Sequence, residues 1–298
     1  MPLIVLAPYK VPEEESSIVT SQSVISGGAS HSLALKQNGS IVAWGNDIHN
    51  QVSGTPTDTG YVAVAAGLDH SIAIKQDGSI VSWGNDDKNQ VSDTPTDTGY
   101  SAISGGLNHS LALKQDGSIA AWGYDDFNKV SNAPTDTGYT DVAAAHYHSL
   151  ALKQDGSLVS WGRDNYNQVS STPTDTGYIA ISVGRYHSLA LKQNGRIVAW
   201  GNDNYNQVSG TPTDTGYVAV ASGNGHNLVL KQDGSLFAWG WDTYNQVSPT
   251  PTDMGYVAIS SGIAHGIGLK QDGSLVTWGY NGDNRISNTP TTSDFMLP

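Results

Sequence analysis

Short apolar runs, each alternating with polar residues every second position, recur along the chain and are separated by Gly, Pro, Asn and Asp. In the segment 61–99, YVAVAAGLDHSIAIKQDGSIVSWGNDDKNQVSDTPTDTG, three such runs stand out: VAVAAG, HSIAI and SIVSWG. Their period of two predicts β-strands, and no stretch of the unit has the period of an α-helix. Lys-Gln-Asp-Gly or Lys-Gln-Asn-Gly lies between the second and third runs. Asp-Gly or Asn-Gly between alternating runs is a strong hairpin signal, so a two-residue turn and antiparallel pairing are expected. The connector that follows carries Asn-Gln-Val-Ser, which leaves room for a short outer strand. It then runs through Thr-Pro-Thr-Asp-Thr-Gly, whose Pro, Asp and Gly are turn residues.

The unit is repeated. His31, His70, His109, His148, His187, His226 and His265 are 39 residues apart, as are Trp44, Trp83, Trp122, Trp161, Trp200, Trp239 and Trp278. Seven copies account for 273 of the 298 residues. The sequence therefore predicts one closed all-β architecture, a seven-bladed β-propeller spanning 17–291, with an N-terminal arm at 1–16 and a C-terminal tail at 292–298. Three strands per blade are clear and the connector offers the short outer one. The first strand carries the smallest residues, such as Ala65, Ala66 and Gly67, as expected where strands converge on an axis. The third carries the Trp, suited to the wider gap between blades, where each ring removes about 150–250 Å² from water. The arm, with Pro2 and Pro8, is tolerable as an edge strand on the last blade.

The pattern G-x-x-H-S-L-A-L-K-x-D-G-x-[IV]-x-x-W-G followed by D-x-x-N-Q resembles the repeat of the regulator of chromosome condensation family over about residues 24–290. It differs from WD40, which would have Trp-Asp where this chain has Trp-Gly. The short period and the Pro-Thr-Asp-Thr-Gly connector are most similar to the compact bacterial branch that includes β-lactamase inhibitory protein II. That resemblance implies a seven-bladed propeller and, in the inhibitor, a target gripped by loops of one face. Those loops carry different side chains here, so the target does not transfer.

Composition narrows the function. Aspartate and glutamate number 27 against 14 Lys plus Arg, and the formal charge is −13. Such a surface offers no electrostatic footprint for a phosphate backbone, so nucleic acid is not an expected partner. No run approaches 18 apolar residues, and the first residues lack the basic start of a secretory signal, so neither a membrane span nor a leader is expected. Cysteine is absent, which leaves the compartment open, with an extracellular or surface location slightly favoured. All three Glu stand in the arm and the Ser, His and Asp of each copy recur, so no single constellation marks an active site and no enzyme is expected. No cofactor is expected either.

The columns that vary mark the candidate site. One group precedes each ring His, including Leu68 and Asp69, His146 and Tyr147, and Arg185 and Tyr186. The other follows each repeat Trp and includes Tyr124, Phe127, Arg163, Tyr166, Tyr205, Trp241, Tyr244 and Tyr280. If strands alternate up and down, both groups emerge on one top face while the uniform Lys-Gln-Asp-Gly turns emerge on the other. Tyr, Trp and Arg dominate interface hot spots, so this lopsided face is expected to bind one asymmetric protein target, the chain itself being monomeric. A glycan-binding adhesin is the alternative, as is a structural module of a phage or cell surface. The seven His match no metal coordination number and are expected to hydrogen-bond a neighbouring loop, with no metal site. Asp47 and its equivalents, each with an Asn three residues on, are expected to form Asx-type turns.

Overall fold

A computed structural model describes residues 23–298. Seven antiparallel sheets of three strands follow one another around an axis, each inner strand feeding a middle and then an outer strand. In the second blade these are Tyr61–Ala66, His70–Lys75 and Ile80–Gly84. Middle strands are buried along their length, as in the pattern of His109–Lys114, because each is covered on both faces by neighbouring blades. The proposed edge strand from the arm lies outside the described residues.

Two local expectations are corrected. The hairpin turn closes over three residues: Gly78 N donates to Lys75 O and Lys75 N to Ser79 O, both at 2.9 Å, with Gly78 at φ +78°. A type I turn followed by a left-handed glycine satisfies the same strands as a two-residue loop. The short fourth strand does not form at Asn-Gln-Val-Ser or at its equivalents 128–131 and 284–287, where the chain turns or bends. Asp47 Oδ1 accepts from Val52 N at 2.9 Å and Ser53 N at 2.8 Å, so the amides a ladder would use are already taken. Asn50, at φ 61°, turns the chain away. Asp86, Asp125, Asp164, Asp203 and Asp242 do the same, as does Asn281 in the last blade. The Asx-type turn is thus as expected.

Blades lock to one another through the ring histidines, whose partner is a strand residue rather than a loop. His31 Nε2 lies 2.9 Å from Ser71 Oγ, which donates to Gln51 O at 3.3 Å. Trp83 Nε1 donates to the same carbonyl at 3.0 Å, so one oxygen of the first blade receives two groups of the second. The bond from His to serine passes around the ring through Ser110, Ser149 and Ser188. Two exceptions keep the bond. His187 donates to Asn227 Oδ1 at 2.7 Å, and His226 uses Ser261 of the adjacent strand because Gly266 stands where the serine would be. His265 then reaches Ser32 and completes the circle at 2.9 Å.

Inner strands add a second seam with a period of two blades. Ile-Ser occupies 25–26, 103–104, 181–182 and 259–260, whereas Val-Ala occupies 64–65, 142–143 and 220–221. Each serine accepts from the next blade, Ser26 from Ala66 N, Ser104 from Ala144 N and Ser182 from Ser222 N, all at 2.9 Å. Seven is odd, so two serine blades meet at the closure, where Ser260 accepts from Gly27 N at 2.9 Å.

The tail finishes the first blade. Phe295 is 39 residues beyond Tyr256 and takes the place that Tyr61 and its equivalents hold in other blades. It bridges Lys36, its amide approaches Gly273 O at 3.3 Å, and its side chain is fully buried. Asp294 pairs with Lys36 at 2.9 Å as Asp58 pairs with Lys75 at 2.7 Å. Phe295→Ala empties a fully buried site at the closure, and urea unfolding is expected to show a loss of ~3–5 kcal/mol.

Burial keeps the ring His neutral, pushing His31, His148, His226 and His265 down to about 3 and His70 and His187 to about 4 from 6.5. The unfolded chain then binds more protons than the folded one between 6.5 and those values. Stability is complete above pH 6.5 and is lost as pH falls below it. Thermal melts are expected to show a flat Tm above that pH and a steep decline toward about pH 4, steeper than carboxylates alone would give.

Candidate functional site

The two variable groups meet on one face, held together by backbone. The amide two residues after each Trp donates to the carbonyl just before each His: Asn46 to Ser30, Asn85 to Asp69, Tyr124 to Asn108, Arg163 to Tyr147, Asn202 to Tyr186, Trp241 to Gly225 and Tyr280 to Ala264, at 2.8–2.9 Å. Ala29, Leu68, His146, Arg185, Asn224 and Ile263 rim a shallow depression on the axis. Beyond that rim, Tyr124, Phe127, Tyr166, Tyr205, Tyr244 and Tyr280 are 40–51% exposed.

Aromatic side chains gather into two clusters. In the first, Tyr147 stacks on Tyr186 with centroids 5.1 Å apart, Tyr166 meets Tyr186 edge-on at 4.9 Å, and Phe127 and His146 meet Tyr147 at 6.0 and 6.1 Å. Arg163 lies 5.0 Å from Phe127 and 5.1 Å from Tyr147; Arg185 lies 5.1 Å from Tyr186 and 5.6 Å from Tyr147. Arg185 Nη2 donates to the Tyr147 hydroxyl at 3.3 Å and lowers its pKa, whereas desolvation raises that of Tyr186. In the second cluster Tyr205 stacks on Trp241 at 5.4 Å, followed by Tyr244 at 5.2 Å and Tyr280 at 5.0 Å from Tyr244. Tyr124 stands beside these clusters under Lys88, 5.1 Å from its ring. Leu68 and Asp69 join neither; Asp69 is half-buried and desolvation raises its pKa.

Sequence reasoning passed over three substitutions. Lys129 and Arg285 replace the glutamine of the Asn-Gln column, and both are buried. Each crosses a seam between blades: Lys129 Nζ donates to His146 O at 3.1 Å and Arg285 Nη1 to Ala29 O at 2.8 Å. Asp126 and Asp283 lie at 2.5 and 3.0 Å from them and offset the charges. The signal was a broken column, Asn128-Lys129 and Asn284-Arg285 against Asn-Gln elsewhere. The third is Asp141, the one acid in a column otherwise made of Val24, Ala63, Ala102, Ala180, Ala219 and Ala258. It lies along the axial channel with Ser26, Ser104 and Ser182, away from the top face.

Among the described residues no group of three or more His, Asp or Glu is placed to hold a metal, and no helix is long and apolar enough to cross a membrane. The opposite face repeats one motif, Lys75 with Asp58 at 2.7 Å and the Tyr61 hydroxyl donating to Asp58 at 2.7 Å.

A family model of the regulator of chromosome condensation (RCC1) repeat matches residues 23–51, 61–90, 100–128, 139–168, 178–207, 217–246 and 256–285. The chain belongs to this repeat family. Seven matches correspond to seven blades, and each runs from the inner strand through the Asp-capped loop of the top face. No curated protein matches the chain. Among solved structures it is similar to the CRINKLY WD40 ectodomain of the Arabidopsis thaliana receptor kinase ACR4, 22% identical over 91% of this chain and 98% of that one, with a TM-score of 0.76. The ectodomain of the Physcomitrella patens receptor kinase CR4 is 21% identical over 87% and 73%, TM-score 0.72. Prp20p of Saccharomyces cerevisiae is 19% identical over 79% and 75%, TM-score 0.61. At these identities the likeness is one of fold. This chain is an RCC1-repeat propeller.

Asp141 is partly open to the channel yet crowded by inner strands, and desolvation pushes its pKa up to about 7 from 3.8. A raised folded-state pKa means stability is lost as pH rises through that window. Asp141→Ala, which restores the residue of its column, is expected to raise Tm relative to the parent at pH 7 and to have a smaller effect at pH 4.

Proposed function

We propose that the chain is a non-catalytic binding propeller whose top face engages one protein partner through the aromatic arc of its third to seventh blades. The observation that carries this is the asymmetry of that arc on a symmetric scaffold. Nine aromatic side chains other than Tyr124, His146 among them, form the two clusters, while the equivalent positions after the Trp hold Asn46 and His49 in the first blade and Asn85 and Lys88 in the second. Exposed rings are costly for solubility and are seldom gathered without a ligand. Arg, Tyr and Trp held by packing on one another lose little side-chain freedom on association.

Members of this fold bind proteins: the structure of Prp20p is described with its binding to Gsp1p and histones, and a further structure has Kap60 bound to it. Inhibition of an enzyme, including a β-lactamase-like target, is one form this reading takes, and assay of class A β-lactamases with micromolar protein tests it separately. A lectin with one sugar per blade would repeat its contact set, yet Leu68-Asp69 and Arg185-Tyr186 occupy equivalent positions.

Tyr147→Ala, Tyr186→Ala and Trp241→Ala are each expected to weaken a partner recovered by pull-down by ~2 kcal/mol, roughly 30-fold in Kd. Isothermal titration measures the loss and a thermal melt checks the fold. Full affinity in all three folded variants excludes the top face.

A further inference from the structure

The cations of the chain are sorted by what they face. Eight lysines and Arg285 have a carboxylate within 4 Å. Lys88, Arg163, Arg185 and Arg196 have none among the described residues, in a chain with 27 acids and a formal charge of −13, and of these four only Arg163 and Arg185 stand together. Both lie within 6 Å of the same stacked pair, Tyr147 and Tyr186. The groups that meet them are neutral: the Tyr147 hydroxyl at 3.3 Å from Arg185, and Asn165, whose amide oxygen turned inward accepts from Arg163 Nη2 at 2.8 Å and Nε at 3.2 Å. Arg185 Nε is buried with no hydrogen-bond partner. Arg185 also lines the axial depression, as does His146.

A guanidinium pressed against aromatic rings has shed part of its hydration while keeping its charge and several donors. Two of them at one stacked pair make a concentrated positive site with apolar walls, and a carboxylate is the group whose two oxygens match that donor geometry. We propose that Arg163 and Arg185 form a carboxylate-receiving subsite of the top face, which takes an Asp or Glu side chain of the protein partner flanked by an apolar residue that rests on Tyr147 or Tyr186. This rests on the reading of the top face as a protein-binding surface and adds the chemistry of the residue it selects. A carboxylate carried by an apolar residue is favoured over inorganic phosphate, because that residue rests on Tyr147 or Tyr186 and free phosphate has no such contact.

Phenylpropionate, a carboxylate carrying one ring, is a direct probe, with phenylpropionamide and inorganic phosphate as controls. Titrated into the full chain and followed by the Nε–H resonances of arginine, phenylpropionate is expected to shift Arg163 and Arg185 saturably, and less so at high salt. The amide should leave both unmoved, and the Arg163→Gln/Arg185→Gln double variant should bind the carboxylate about tenfold more weakly or worse. Equal shifts with amide and carboxylate, no shift with either, or stronger binding of phosphate would each overturn the proposal. With the recovered protein partner the two readings separate. If the Arg double variant keeps full affinity while Tyr147→Ala and Trp241→Ala lose it, the carboxylate subsite fails and the binding face stands. If both sets keep full affinity, both readings fail.

Discussion

The bond from each ring histidine to a side chain of the next blade is the constraint on which the propeller depends. A three-stranded blade cannot bury both of its faces alone, so each must be covered by two neighbours at one fixed rotation. The His, the hydroxyl or amide that meets it, and the carbonyl that receives the next Trp define the rotation, and at Ser71 and Asn227 that carbonyl receives the partner of the His as well. Substitutions along the ring show what is required. Asn227 replaces a serine and Ser261 reaches over from another strand where Gly266 has no side chain, yet His187 and His226 both keep a partner. What persists is the bond. At the closure the same contacts recur between residues more than 200 positions apart, as in His265 with Ser32 and Trp44 with Arg285 O.

Because these contacts involve middle strands, turn carbonyls and backbone amides, the top-face side chains carry almost no structural duty. Asp47 and its equivalents hold each loop by capping two amides, and the carbonyl before each His receives the amide after each Trp whatever side chain stands there. Tyr124, Arg163 and Trp241 occupy one backbone position in three blades with the same bond at 2.8 Å. The scaffold can therefore absorb the cost of exposed rings, and the clusters bury each other in part.

Most of the fold was legible because a seven-fold recurrence turns a weak local signal into a strong one. Strand pairing and the sidedness of the face followed from chain direction alone. The failures were of geometry. Lys-Gln-Asp-Gly permits both a two- and a three-residue loop, and Asn-Gln-Val-Ser has strand-forming residues whose amides Asp47 had already claimed. Phe295 was passed over as tail, although its spacing from Tyr256 is the repeat period, because Phe breaks the Tyr column. The candidate positions were readable from their variability, but their contacts were not. Tyr147 and Tyr186 are 39 residues apart in one column and stack, whereas Asp69, in the same column, joins neither cluster. Whether neighbouring blades both carry an aromatic decides this, and one column read alone does not show it.

Charge divides the molecule in the same way. Seven lysines of the uniform face are each paired with an aspartate, six of those aspartates also accept from a tyrosine hydroxyl, and the capping aspartates of the loops hold amides. The net charge is thus a by-product of copying one structural unit. Over distances beyond the ≈ 8 Å Debye length at physiological salt, charges on the far face are screened from a partner already in contact. The net charge then governs the approach, disfavouring polyanions, while the local set decides what is held. On the top face that set includes two guanidiniums beside one stacked tyrosine pair, with a sign opposite to that of the molecule. A partner that approaches this chain successfully is not strongly acidic overall, and at this one spot it meets a surface that favours negative charge.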